Sequence, residues 1–155
     1  MEIIEENAFS NTNIKQIFIP PHVSKIGKNA FESCIELKYV IIPPKSELKI
    51  IEENAFSETK IEEIFLPPNL NELRNKWCCN ANCLRNIEIS SLNSNFLVKD
   101  KFLLGKTDPE SENYDVLLFA FRDIIEARIP SNIKIISSFA FDKCKRMTYV
   151  FFDKN

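Results

Sequence analysis

Apolar residues recur along this chain in two linked patterns. The first is a six-residue phrase that opens on an aliphatic residue and closes on Ala-Phe. Ile4-Glu5-Glu6-Asn7-Ala8-Phe9 returns as Ile26-Gly27-Lys28-Asn29-Ala30-Phe31, as Ile51-Glu52-Glu53-Asn54-Ala55-Phe56 and as Ile136-Ser137-Ser138-Phe139-Ala140-Phe141. Leu73-Arg74-Asn75-Lys76-Trp77-Cys78 is a degraded copy at the expected interval. The second pattern follows each copy: Ile14-x-x-Ile17-x-Ile19, Leu37-x-x-Val40-x-Ile42, Ile61-x-x-Ile64-x-Leu66, Leu84-x-x-Ile87-x-Ile89 and Met147-x-x-Val150-x-Phe152. Its last two anchors alternate with period two, as a half-buried strand requires. With Ile124-x-x-Ala127-x-Ile129, the spacing predicts six short strands near 16–19, 39–42, 63–66, 86–89, 126–129 and 149–152. Pro20-Pro21, Pro43-Pro44 and Pro67-Pro68 close three of them, because proline has no N–H to give the ladder and fixes φ.

Repetition at about 22 to 25 residues predicts a solenoid, in which each turn buries its apolar face only against its neighbours. Brief parallel strands, one per turn, stack into a curved sheet with an open inner face, and turns or short helical pieces build the outer side. Residues 90–123 interrupt the repeat. They hold Phe96-Leu97-Val98, Phe102-Leu103-Leu104 and Val116-Leu117-Leu118-Phe119-Ala120-Phe121, with a polar stretch from Gly105 to Asn113. Apolar runs of this length bounded by turn residues read as an inserted β-meander, and its expected role is a packing wedge between turns in preference to a binding loop.

The Ala-Phe phrase, the L-x-x-L-x-L-like strand and the trailing Ile-Pro-Pro together resemble the BspA-like class of leucine-rich repeat. The resemblance covers nearly the whole chain, so 1–155 reads as one leucine-rich repeat domain, either complete or a piece of a longer array. It implies a non-catalytic protein-binding module with adhesion or host-contact roles, a surface antigen or secreted protein. It also implies that a meander between repeats belongs to the design. The sequence departs from the pattern at Cys78, which stands where the other phrases carry Phe, and over 90–123.

Composition narrows the chemistry. With 155 residues, 45% hydrophobic and 27% charged, the chain can build a real core. Two glycines cannot supply a phosphate-cradling loop, which needs several positions without a Cβ. A net charge of -2, with both signs interspersed, offers no face to neutralise nucleic-acid phosphates. No apolar run approaches the roughly 20 residues that span a bilayer, so no membrane insertion is expected in this segment. The first residues carry acids where a signal peptide carries bases. The compartment stays open between the cell surface of the resemblance and the cytoplasm of a complete chain.

Candidate reactive groups are few. His22 is the single imidazole and, after a proline pair, is expected exposed without a partner. Cys34 and Cys144 lie three residues after the spine phenylalanine, where Thr12 and Thr59 also stand, and read as small buried fillers. Cys78, Cys79 and Cys83 lack a fourth ligand for zinc; unpaired thiols are expected, with a local disulfide or a redox-sensitive pair as alternatives. Glu5-Glu6, Glu52-Glu53 and Glu62-Glu63 recur with the repeat and read as solvated charge. No catalytic group, cofactor or metal is expected.

Between the buried anchors, the intervening strand residues must point to the open face. They form two columns, Gln16, Tyr39, Glu63, Asn86, Glu126, Tyr149 and Phe18, Ile41, Phe65, Glu88, Arg128, Phe151. Contiguous apolar residues mark interaction sites more often than scattered ones. The candidate protein-binding residues are therefore Phe18, Tyr39, Ile41, Phe65, Glu88, Arg128, Tyr149 and Phe151, with Phe18 and Phe65 expected to lie outside the core. The partner is a protein of unknown identity, and open solenoid ends offer self-association. The competing reading is an intracellular scaffold or repeat fragment with no activity of its own.

Overall fold

The computed structural model describes residues 2–154, and among them no residue is in a helix. Strands come in pairs, one pair to a turn. β1 (Glu2–Ile4) and β2 (Gln16–Phe18) form the first turn, and β3 (Val23–Ile26) and β4 (Tyr39–Ile41) the second. β5 (Ile50–Ile51) with β6 (Glu63–Leu66) and β7 (Glu72–Leu73) with β8 (Asn86–Ile89) follow. Next come β9 (Leu97–Lys99) and β10 (Phe102–Gly105), then β11 (Val116–Ala120) with β12 (Glu126–Ile129), and finally β13 (Ile135–Ile136) with β14 (Tyr149–Phe152). Every even-numbered repeat strand except the insert's β10 sits within a residue of its predicted place, and all pairings among those six are parallel.

Two expectations need correction. The first limb of each turn is itself a strand: β1, β3, β5 and β7 form a second parallel sheet where turns or helical pieces were expected. The six predicted strands also do not share one sheet. β2-β4-β6-β8 is separate from β12-β14, because β9 and β10 enter the stack between β8 and β12.

The asparagine of the repeated phrase has a backbone reason. Asn7, Asn29 and Asn54 adopt left-handed φ values of 58°, 56° and 56°, a region where Asn is enriched and most L-residues are disfavoured. Lys76 and Phe139 hold the same corner in their copies, at 62° and 64°. A second left-handed corner lies two residues after the spine, at Asn11, Ser33, Glu58, Asn80 and Lys143. Between the corners the spine rings stack: Phe9 on Phe31 and Phe31 on Phe56, each at 5.2 Å with planes within 3° and 1° of parallel. Phe31 and Phe56 are fully buried, as expected. The ladder stops at Cys78, and the bulk passes to Trp77, buried in the slot that alanine fills elsewhere. Three residues past the spine, the small polar position caps the turn. Thr12 and Thr59 each donate to the carbonyl of their own phenylalanine at 2.8 Å, and the Cys34 thiol donates to Phe9 O at 3.0 Å.

The insert is antiparallel, β9 to β10 to β11, as the meander reading predicts. Its last strand serves twice, because β11 also pairs parallel with β13 and so provides the first limb of the fifth turn. The pleat, together with a bulge at Leu118 where the register shifts between Leu103 and Leu104, divides its side chains between two cores. Leu103, Phe119 and Phe121 join the core of the first four turns, while Phe102, Leu104 and Leu117 join that of the last two.

Candidate protein-binding face

The face begins with register. Gln16 pairs with Tyr39 and Phe18 with Ile41, so the two columns run straight from β2 to β4. Since Ile17 and Val40 turn inward to the core, their neighbours must turn outward. Phe18 is 54% exposed, Tyr39 50% and Ile41 48%. These three make a contiguous apolar patch on a hydrogen-bonded, in-register platform.

Phe65 departs from the expectation. It is half-buried and packs against the core, so it is a wall of the patch that also supports the fold. β4 and β6 are bridged only at Tyr39 and Glu63. Beyond that bridge a shallow depression of about 240 Å³ opens, lined by Ile41, Phe65, Glu63, Asn86 and Glu88 among others. Glu63 and Glu88 are exposed there, and neither has an ion-pair partner among the described residues. Apolar walls and uncompensated carboxylates thus meet in one hollow.

The remaining candidates lie on the other sheet. Arg128 pairs with Phe151 across β12 and β14, its guanidinium carbon 5.5 Å from the ring centroid. Tyr149 stacks on Phe151 at 6.1 Å, and Arg128 also reaches Asp153 at 3.8 Å. The eight residues therefore form two clusters. Phe18, Tyr39, Ile41, Phe65 and Glu88 belong to the four-stranded sheet, and Arg128, Tyr149 and Phe151 to the two-stranded one.

Elsewhere a series of ion pairs links successive turns along the stack. Lys25 and Lys28 reach Glu52 and Glu53 at 3.7 and 3.4 Å, Arg74 bridges Glu52 and Glu72, and Lys60 and Arg85 reach Glu36 and Glu62 at 2.8 Å. The Lys60 hydrogen bond holds the Glu36 carboxyl below its ordinary value. Such solvated pairs contribute little to stability, and they account for two of the repeated acidic doublets, Glu52-Glu53 and, through Glu62, Glu62-Glu63. His22, expected without a partner, has one: Nδ1 lies 3.2 Å from Glu47 Oε1 of the next turn.

The five cysteines are free, with Cys34, Cys78 and Cys144 buried. Burial pushes the Cys78 and Cys144 thiols up. Cys79 is raised by burial and by Asp142, whose carboxylate it meets at 3.5 Å. Reactive or metal-binding cysteines need the opposite shift. Among the described residues no group of three or more His, Cys, Asp or Glu is placed to hold a metal ion, and no helix is long and apolar enough to cross a membrane.

Comparison with known proteins places this geometry. A family model described as the BspA type leucine-rich repeat region matches six copies, over residues 1–102 and 114–155. The crystal structure of the pneumococcal vaccine antigen PcpA superposes with a TM-score of 0.89 at 22% identity, over 99% of this chain and 37% of that one. A leucine-rich cell surface protein from Faecalibacterium prausnitzii gives 0.79 at 19%, over 96% and 44%. A leucine-rich repeat protein from Eubacterium ventriosum gives 0.71 at 18%, over 96% and 46%. At these identities the likeness is one of fold, and the chain spans less than half the length of each. No curated protein matches the sequence.

Proposed function

The chain belongs to the BspA-type leucine-rich repeat family, and on that premise we propose that it is a non-catalytic protein-binding module that recognises its partner through the open face of β2, β4, β6 and β8. The observation that carries this is the contiguous patch of Phe18, Tyr39 and Ile41, each about half exposed on strands locked in register. Scattered surface apolar residues are ordinary, whereas a contiguous patch is a cost that an interface offsets. Aromatic residues fixed on a sheet lose little side-chain freedom on binding, which suits them as anchors. The hollow beside them, with Glu63 and Glu88 on its rim, favours a partner segment that places a Lys or Arg next to an aliphatic or aromatic residue. A cell surface protein and a vaccine antigen among the structural neighbours support a role in surface contact.

The test is a selection of displayed random peptides on the immobilised protein, followed by hydrogen exchange with an enriched peptide. Protection of amides in β2, β4 and β6 supports the reading. Protection confined to β1, β3 and β5 or to the insert refutes it.

Self-association is a second reading, carried by the last turn. Ile136, Val150 and Phe152 are exposed there, although their counterparts Ile51, Ile64 and Leu66 in an inner turn are buried, and Ile135 is exposed beside them. The first turn presents Glu2, Glu5 and Glu6, and the last presents Lys143, Lys145 and Arg146, all exposed. Opposite charge at the two ends favours head-to-tail contact, which in a solenoid does not close on itself.

A further inference from the structure

Among the described residues, two buried side-chain nitrogen or oxygen atoms have no hydrogen-bond partner: Nε1 of Trp77 and Nε of Arg122. Both residues line the same small cavity, which lies between the fourth turn, the insert and the last turn. We propose that this cavity is a binding site for a small monovalent anion of the halide class, held by the Trp77 indole N–H and the Arg122 guanidinium.

The argument starts from Arg122. It is 9% exposed, and no carboxylate lies within ion-pair distance among the described residues. Its Nη1 donates to Ala120 O at 3.2 Å and Ala140 O at 3.1 Å, with Cys144 Sγ further off at 3.8 Å. Two carbonyls satisfy that nitrogen but do not neutralise the charge, and an unneutralised buried cation is costly. Trp77 is 4% exposed. The two residues share one wall, the Phe119 ring: the Arg122 guanidinium carbon lies 4.1 Å from its centroid and the Trp77 ring 6.3 Å.

The chemistry of the lining selects the occupant. Indole and guanidinium only donate hydrogen bonds. The Cys78 thiol, kept protonated by burial, can donate as well, whereas the Cys79 thiol is already given to Asp142. A water molecule accepts two such bonds but must place its own hydrogens on acceptors, and buried waters typically make about three bonds. An anion needs donors only and also balances the charge. Lys76 adds a second cation at the rim, its Nζ 4.5 Å from the Phe139 ring. One opposing carboxylate, Asp142, is nearby and already accepts from Asn80 N and the Cys79 thiol. The cavity, about 10 Å³, has room for one body near the size of a water molecule, which restricts the ligand to a monatomic anion and excludes phosphate or sulfate.

Trp77 is the only tryptophan, so its fluorescence reads the site directly. The folded protein is titrated with sodium bromide against sodium gluconate at constant ionic strength. Bromide, a heavy-atom quencher at contact, is expected to quench Trp77 saturably. Chloride, which binds without quenching, is expected to restore emission in competition and to raise Tm. Arg122→Met is expected to remove the saturable phase. Where that variant does not fold, the bromide–chloride competition on the unaltered protein decides alone. Quenching that is absent, or linear in bromide and indifferent to chloride, overturns the proposal and leaves the cavity to water.

Discussion

At the scale of single residues, the repeated phrase combines a packing requirement with a backbone requirement, and only the first is legible from spacing. That Phe31 and Phe56 fill the centre follows from their recurrence in phase with buried aliphatic residues. The role of Asn7, Asn29 and Asn54 does not, because a left-handed φ leaves no periodic trace; once it is known, asparagine is the natural occupant. Asn54→Ala is expected to destabilise the protein by about 1 to 2 kcal/mol through the strained corner and the lost bond from its amide to Asn29. Lys143, left-handed and exposed where Asn11 and Asn80 stand in other turns, should gain about 0.5 kcal/mol as Lys143→Asn. Urea melts of the two variants check both signs, and a neutral Asn54→Ala would remove the backbone explanation. Phe65 marks the limit of a two-face pattern: period two assigns it outward, yet where β4 and β6 part a large ring can lean back onto the core.

At the scale of elements, strands of three or four residues with alternating anchors were legible, and strands of two were not. Ile50–Ile51 and Glu72–Leu73 are too short to show a period, and the longer Glu2–Ile4 and Val23–Ile26 do not alternate, so the first-limb sheet emerges only from hydrogen bonding between turns. β11 hid its second role because Val116–Ala120 runs on into Phe121 as one apolar stretch, while its parallel partner β13 is itself two residues long. Asp115, at the head of this strand, ties insert to last turn. It accepts from Thr107 N at 2.8 Å, Thr107 Oγ1 at 2.7 Å and Lys134 Nζ at 2.9 Å. The Thr107 hydroxyl bond first, then Lys134, hold its carboxyl well below the usual range. A carboxyl lowered on folding contributes stability that is complete above its unfolded value, about 3.9, and is lost as pH falls through the folded one. Asp115→Asn is therefore expected to lower stability at pH 7 and to flatten its fall below pH 4. Denaturant midpoints that decline in parallel for both proteins would show that Asp115 does not act this way.

At the scale of the whole molecule, the repeat dictates where apolar surface is left over. An inner turn is covered on both sides, so Leu66 is fully buried, whereas its counterpart Phe152 in the last turn is 68% exposed because a solenoid turn is covered only by its neighbours. The period thus identified the anchors, while their burial depends on position in the stack. If the ends associate as proposed, sedimentation should show mass rising with protein concentration and falling with added salt, and Phe152→Lys should keep the chain monomeric. A monomer at all concentrations would leave the ends inert.

The binding face is the central claim, and the affinity of a selected peptide for the Phe18→Ser, Ile41→Ser double variant tests it most directly. Phe65 is kept, since it also supports the core. The account predicts an unchanged Tm and far-ultraviolet spectrum, with binding weakened by about thirtyfold or more, the loss of at least 2 kcal/mol expected for truncated anchors. A folded double variant that binds the peptide as tightly as the unaltered protein would contradict it.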